Sequence, residues 1–251
     1  MLKEFYQNQN QTQDFNMILF SYNFCHNKTV EIIQHLISNK IKIDLIIAAN
    51  KKELIIPKNP FTIKYSNTTN IEPKELAYEN NIPYLVADHN SIEVRNTLKK
   101  LKPNIGMITG ARIIDKSIID CFEIGIINFH PGDIPKIRGL NSVLKAIKLK
   151  HKIAVTSHLV DSKIDAGFII CKEFIKLSYN DSIEDLYEKV YNTQIDMIKK
   201  SILLASNKEF VEVNLAYNKY DSTFPYLSKK EFLEDFQLYK ESVLWKIFCW
   251  L

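Results

Sequence analysis

Apolar positions in this chain fall in short runs separated by longer segments with helical spacing. Asn16–Tyr22 (NMILFSY) is nearly continuous in apolar character and predicts a buried strand. Over Lys28–Lys40, Val30, Ile33, Leu36 and Ile37 recur at helical spacing and give one broad apolar face. Ile41–Ala49 (IKIDLIIAA) predicts a second strand. Strand, helix, strand in that order marks a βαβ unit and therefore a parallel sheet. The alternation continues with a helix at 73–80, a strand at 84–87 and a helix at 91–101 capped by Ser91. A strand at 104–109, a short helix at 115–121 and a strand at 125–129 follow. The series ends with a helix at 139–150, strands at 153–160 and 168–177, and a long helix at 181–206 capped by Asp181 or Ser182. The expected fold class is α/β, a Rossmann-like, mostly parallel sheet with helices on both faces.

The last segment reads differently, so the division is a catalytic domain over 1–206 and a small C-terminal appendage over 207–251. Val211–Tyr220 alternates and predicts a hairpin arm, and Ser228–Gln237 predicts a helix opened by a capping box of Ser228 and Glu231. The tail VLWKIFCWL (243–251) is apolar; such a patch docks on its own domain, joins a second copy as a homodimer or closes the appendage, or lies on a membrane surface.

Composition narrows the class. The net charge of +4, from 33 basic and 29 acidic residues without a clustered basic face, disfavours a nucleic-acid partner. No apolar run is long enough for a membrane span, and the polar first 16 residues lack the apolar core of a signal peptide. Four cysteines far apart argue against a disulfide scaffold or a zinc site, so a cytoplasmic protein without metal is expected. The 6 glycines all lie between Gly106 and Gly167, which marks that window for special backbone geometry.

The chemistry lies in the same window. INFHPGDIPKIRG (127–139) places Asn128 and His130 at the end of a predicted parallel strand, where open α/β sheets bind ligands. Residues i and i+2 of a strand share a face, so the two side chains point together. Asp165 follows the next strand in the run DSKIDAG (161–167) and can orient and charge-stabilise His130 if its loop folds back. An acid/base imidazole, its carboxylate orienter and an amide donor for a developing oxyanion suit acyl transfer. The sequence puts no Ser or Cys nucleophile beside His130, which favours direct transfer to an amine over a covalent acyl-enzyme.

The runs NFHPGDIPKIRG and SHLVDSKIDAGFII, with TGARIID (109–115) upstream, resemble the 10-formyltetrahydrofolate-dependent formyltransferases across about residues 104–200. The resemblance implies Asn128, His130 and Asp165 as the catalytic triad. It also implies that Arg112, Ile113 and Ile114, with the loop from Asp161 to Asp165, hold the pterin of 10-formyltetrahydrofolate, the co-substrate. Gly132-Asp133 stands where the family often carries Ser-Leu.

Within the family, the glycinamide ribonucleotide enzymes carry a Gly-rich phosphate loop after the first strand, and SYNFCHNKTV (21–30) has no glycine. The methionyl-tRNA enzymes carry a further C-terminal domain, for which the 45 residues after Ser206 are too few. The expected acceptor is the amine of a nucleotide-linked amino-deoxy sugar, a 4-amino-4,6-dideoxy sugar for surface polysaccharide (O-antigen) synthesis. Asn23, His26 and Asn27, at the end of the first strand, are the candidate contacts to it. The alternatives are a glycinamide ribonucleotide formyltransferase and a formyltetrahydrofolate hydrolase. His158 either faces the site or packs structurally, and Asp88-His89 reads as a turn or sugar contact rather than an acid/base pair.

Overall fold

The computed structural model describes residues 16–52, 70–161, 167–212, 225–226 and 228–248, with side chains in the last helix described through residue 242. Eight strands form one sheet in the order β3-β2-β1-β4-β5-β6-β7-β8. They are β1 (Met17–Tyr22), β2 (Leu45–Ala49), β3 (Tyr84–Val86), β4 (Ile105–Ile108), β5 (Gly125–His130), β6 (Ala154–Leu159), β7 (Phe168–Phe174) and β8 (Val211–Glu212). From β3 to β5 all pairings are parallel. From β5 to β8 they are antiparallel. The helices are α1 (Asn27–Ser38), α2 (Pro73–Glu79), α3 (Ile92–Leu101), α4 (Lys116–Ile119), α5 (Ser142–Lys148), α6 (Ile183–Ser206) and α7 (Lys229–Phe248).

Alternation along the strands sorts the core into two layers. Met17 and Leu19 of β1 pack in one cluster with Val30 and Ile33 of α1 and Ile198 of α6. Ile18 and Phe20 pack in the other with Val94 and Leu98 of α3 and Ile118 of α4. Helices therefore cover both faces, and the fold is the expected Rossmann-like α/β architecture.

Boundaries differ where a local interaction outcompetes the pattern. The second strand begins at Leu45 rather than Ile41, because Asp44 turns back on β1: its carboxylate accepts from Met17 N at 2.8 Å. The helix expected from Gly139 begins at Ser142, because Gly139 (φ 81) and Asn141 (φ 58) take left-handed backbone that no α-helix admits. Ser182, not Asp181, caps α6, in a full capping box with Asp185. Ser91 caps α3, accepting from Val94 N at 3.2 Å. Beyond Glu212 the expected hairpin arm lies outside the described residues. The helix expected at 228–237 runs on to Phe248, so the first residues of the apolar tail continue it.

Candidate functional site

The site forms on the crest of β5 and β6. Asn128 and His130 lie on the face of β5 opposite Phe129, which is buried in the core. The antiparallel register sets Asn128 against His158 and His130 against Thr156. Directly opposed side chains on one face are neighbours, and Asn128 Nδ2 lies 3.2 Å from His158 Nε2. A register shift between Ser157 and His158 bends β6 at this point.

A cavity of about 500 Å³ opens over these residues. Asn128, His130 and His158 line it together with Ala111–Ile114 and Asp161, and with Tyr187, Tyr191 and Gln194 of α6. The predicted residues Arg112, Ile113, Ile114 and Asp161 thus share one cavity with Asn128 and His130. Asp165 lies outside the described residues. Gly167, at the end of that loop, has φ +91 and packs so closely that a Cβ would lie 2.2 Å from Leu159 O.

His130 is buried, and its Nε2 lies 3.1 Å from Ile137 O and 3.1 Å from Ser142 Oγ. A carbonyl only accepts, so Nε2 carries the hydrogen and donates to Ile137. Ser142 Oγ in turn donates to Gly139 O at 2.6 Å. The expectation that no serine hydroxyl sits beside His130 is thereby corrected: the left-handed turn at Asn141 brings Ser142 there from twelve positions away. Its proton is committed to Gly139 and the facing imidazole nitrogen is a donor, so no base activates it as a nucleophile. Sequence reasoning missed this contact because it depends on backbone conformation at Gly139 and Asn141.

Asn23, His26 and Asn27 are not among the residues lining this cavity. Asn23 Nδ2 donates to Asn50 Oδ1 at 2.8 Å, and Asn23 Oδ1 accepts from Tyr84 Oη at 3.1 Å. His26 precedes α1 with Nδ1 2.9 Å from Thr29 Oγ1; burial, then the charge of Lys28, pushes its pKa down to about 4. Tyr22 and Phe24 stack at 4.9 Å between ring centres, and Tyr22 Oη donates to Ala111 O at 3.2 Å. Lys28 donates to Gln194 Oε1 at 2.9 Å, and burial pushes its ammonium down to about 8. No sequence signal marked Lys28, since it meets Gln194 166 positions away.

Arg112 and Ile113 also border a second hollow of about 760 Å³ with Asn50, Lys52, Asp88 and Asn90. Its His89 is a structural strap: Nε2 donates to Ser21 O at 2.9 Å and Ile47 O at 3.2 Å, tying β1 to β2. Asp88 pairs with Lys52. Among the described residues no group of three or more His, Cys, Asp or Glu could hold a metal ion, and no helix is long and apolar enough to cross a membrane.

The formyl transferase family profile matches residues 31–202. A methionyl-tRNA formyltransferase of Clostridioides difficile is 32% identical over 136 residues, which cover 52% of this chain and 43% of that protein. The chain spans about half the length of the curated relatives it matches. Among solved structures, a phosphoribosylglycinamide formyltransferase from Bacillus halodurans superposes with TM-score 0.57 at 22% identity, covering 76% of this chain and 95% of that one. An N-formyltransferase from Helicobacter canadensis, solved with folinic acid and dTDP-3-aminofucose, gives TM-score 0.55 at 21% identity, covering 86% and 72%.

Proposed function

The chain belongs to the formyl transferase family, and on that premise we propose that it moves a formyl group from 10-formyltetrahydrofolate to the amine of a nucleotide-linked amino-deoxy sugar. The observation that carries the reading is the convergence of Asn128 and His130 on one cavity lined also by Ala111–Ile114 and Asp161. Ile108, Ala111, Ile113, Ile114 and Val160 give the cavity apolar lining, which suits a flat heterocycle such as a pterin.

The co-substrate supplies a formyl carbon bound to nitrogen, and the residues of the chain do the rest. An amide NH₂ carries two hydrogens; one of Asn128 reaches His158, and the other is available to an oxyanion forming on the formyl carbon. His130 stabilises the same charge and carries the proton from the attacking amine to the departing nitrogen. Asp165 completes the set by holding His130 charged. Arg112, Ile113, Ile114 and Asp161 orient the donor.

For the acceptor, support comes from the turn after β1. It has no glycine, and the stacked Tyr22 and Phe24 stand where a glycine-rich turn would present bare backbone to a phosphate. A nucleotide-linked sugar, held in part by Asn23, His26 and Asn27, suits such a surface, with the amine at position 4 of a 4,6-dideoxy sugar. The product belongs to surface polysaccharide synthesis, made in the cytoplasm.

The test is formyl transfer from 10-formyltetrahydrofolate to a panel of nucleotide 3- and 4-amino sugars, glycinamide ribonucleotide and methionyl-tRNA. Turnover with an amino sugar supports the reading. Turnover with glycinamide ribonucleotide or methionyl-tRNA alone overturns the acceptor, and deformylation that needs no amine replaces transfer by hydrolysis.

A further inference from the structure

The loop that follows His130 contains a buried ion cluster that the reaction does not consume. The Asp133 carboxylate, about 5% exposed, pairs with Lys172 of β7 and accepts from His151 Nε2 at 2.9 Å. Burial pushes this carboxyl up, and the hydrogen bonds from Lys172 and His151 outweigh that and hold it below the ordinary carboxylate value. Lys172 also donates to Ile134 O at 2.7 Å, so one side chain grips the loop at two points. Thr156 of β6 adds a third, donating to Gly132 O at 2.6 Å and accepting from Ile134 N at 3.3 Å.

This anchored turn ends on the imidazole. Ile137 N donates to Asp133 O at 2.8 Å, and Ile137 O then accepts from His130 Nε2. Gly132 leaves the space: a Cβ there would lie 2.4 Å from His130 Nε2 and 2.6 Å from Ile137 O. The two positions at which this chain departs from the family's Ser-Leu are thus the two that shape the contact between His130 and its own loop.

We propose that Asp133, clamped by Lys172 and His151, is a positioning residue for His130, acting through the Ile137 carbonyl. A carbonyl fixed at Nε2 keeps that nitrogen protonated and holds the ring in one orientation. An unpaired carboxylate in this place would be costly, so the cluster acts as a unit. The catalytic part of the proposal rests on the formyl-transfer reading, whereas the geometry can be read without it.

The test uses the full chain labelled with ¹⁵N at histidine. In the wild type the His130 Nε2–H resonance, assigned by its loss in His130→Gln, is expected to be visible in water and slow to exchange, because it is bonded and buried. Asp133→Asn is expected to lose that protection while melting cooperatively. Its kcat for formyl transfer should fall about 10- to 100-fold, with KM for 10-formyltetrahydrofolate within about twofold. The double variant Asp133→Leu/Lys172→Leu removes both charges without stranding either, and is expected to fold and to show the same loss. A protected His130 resonance in whichever of these variants folds overturns the proposal, as does a wild-type kcat after the resonance is lost. If the wild type transfers formyl to no acceptor, the functional reading fails and the resonance alone decides the role of Asp133.

Discussion

Asn128 and His158 face each other across the β5–β6 pair, with Asn128 Nδ2 3.2 Å from His158 Nε2. As the acceptor of one amide hydrogen, His158 aims the other at the cavity. Asn128→Ala is expected to lower kcat about 10²- to 10³-fold, the usual cost of removing one oxyanion donor. His158→Phe should cost less, about 10-fold, because the amide is then present but unaimed. Steady-state formyl transfer with both variants checks the order; an equal loss would mean that His158 does chemistry of its own.

His130→Ala removes the proposed acid/base group, and kcat should fall about 10²- to 10⁴-fold. The change also takes the donor from the Ile137 carbonyl, so a cooperative melt lowered by about 1–3 kcal/mol is expected. Near-wild-type turnover by the folded variant would rule out His130 as the proton carrier.

Gly132→Ala tests the close approach beside His130. The added Cβ meets His130 Nε2 and the Ile137 carbonyl well inside contact distance. Relief requires both the imidazole and the Ile137 backbone to move. Overpacking of this kind costs about 1–3 kcal/mol, and kcat should fall with it. Thermal melts and kinetics run in parallel check the pair of effects; a stable and fully active variant would show that the loop yields easily.

The strand–helix alternation made the sheet legible, since every strand of the parallel half is a short apolar run with a helical segment after it. The pairing of Asn128 with His130 was legible for a related reason: period two is a local property of a strand. The neighbours of those two residues were not. Ser142 reaches His130 only through left-handed backbone at Gly139 and Asn141, and Lys172 reaches Asp133 across 39 positions of sequence. Gly132-Asp133 was visible as a departure from the family pattern, but its meaning needed the partners that the sheet brings from β6 and β7.

Lys28 carries a pH prediction. Burial lowers its ammonium to about 8 from the ordinary 10.5, with Gln194 as its hydrogen-bond partner. Between those two values the unfolded chain holds more protons than the folded one, so stability rises as pH climbs through 8 towards 10.5. Below pH 8 both states are protonated and the cost of the buried charge is constant. Lys28→Met removes the titrating amine and should flatten the rise above pH 8. Denaturant melts at pH 7, 8.5 and 9.5 check this; an unchanged slope would mean that the amine keeps its ordinary pKa.

The C-terminal helix bears on the same loop from behind. Tyr239 of α7, 2% exposed, donates to His151 O at 2.8 Å, and His151 is one of the two groups that hold Asp133. Phe232 and Phe236 are buried with it, and Lys148 of α5 reaches Glu231 and Asp235. The surface ion pairs contribute little, so the aromatic side chains bear most of the docking. Tyr239→Ala should cost about 3–5 kcal/mol, as large aromatic truncations in a core do. Tyr239→Phe keeps the packing and loses one hydrogen bond, for about 1 kcal/mol. If α7 supports the loop through His151, Tyr239→Phe should also lower kcat, by more than its small loss of stability accounts for. Urea melts beside formyl-transfer kinetics separate the two effects, and a Tyr239→Phe protein with wild-type kcat would confine the helix to packing.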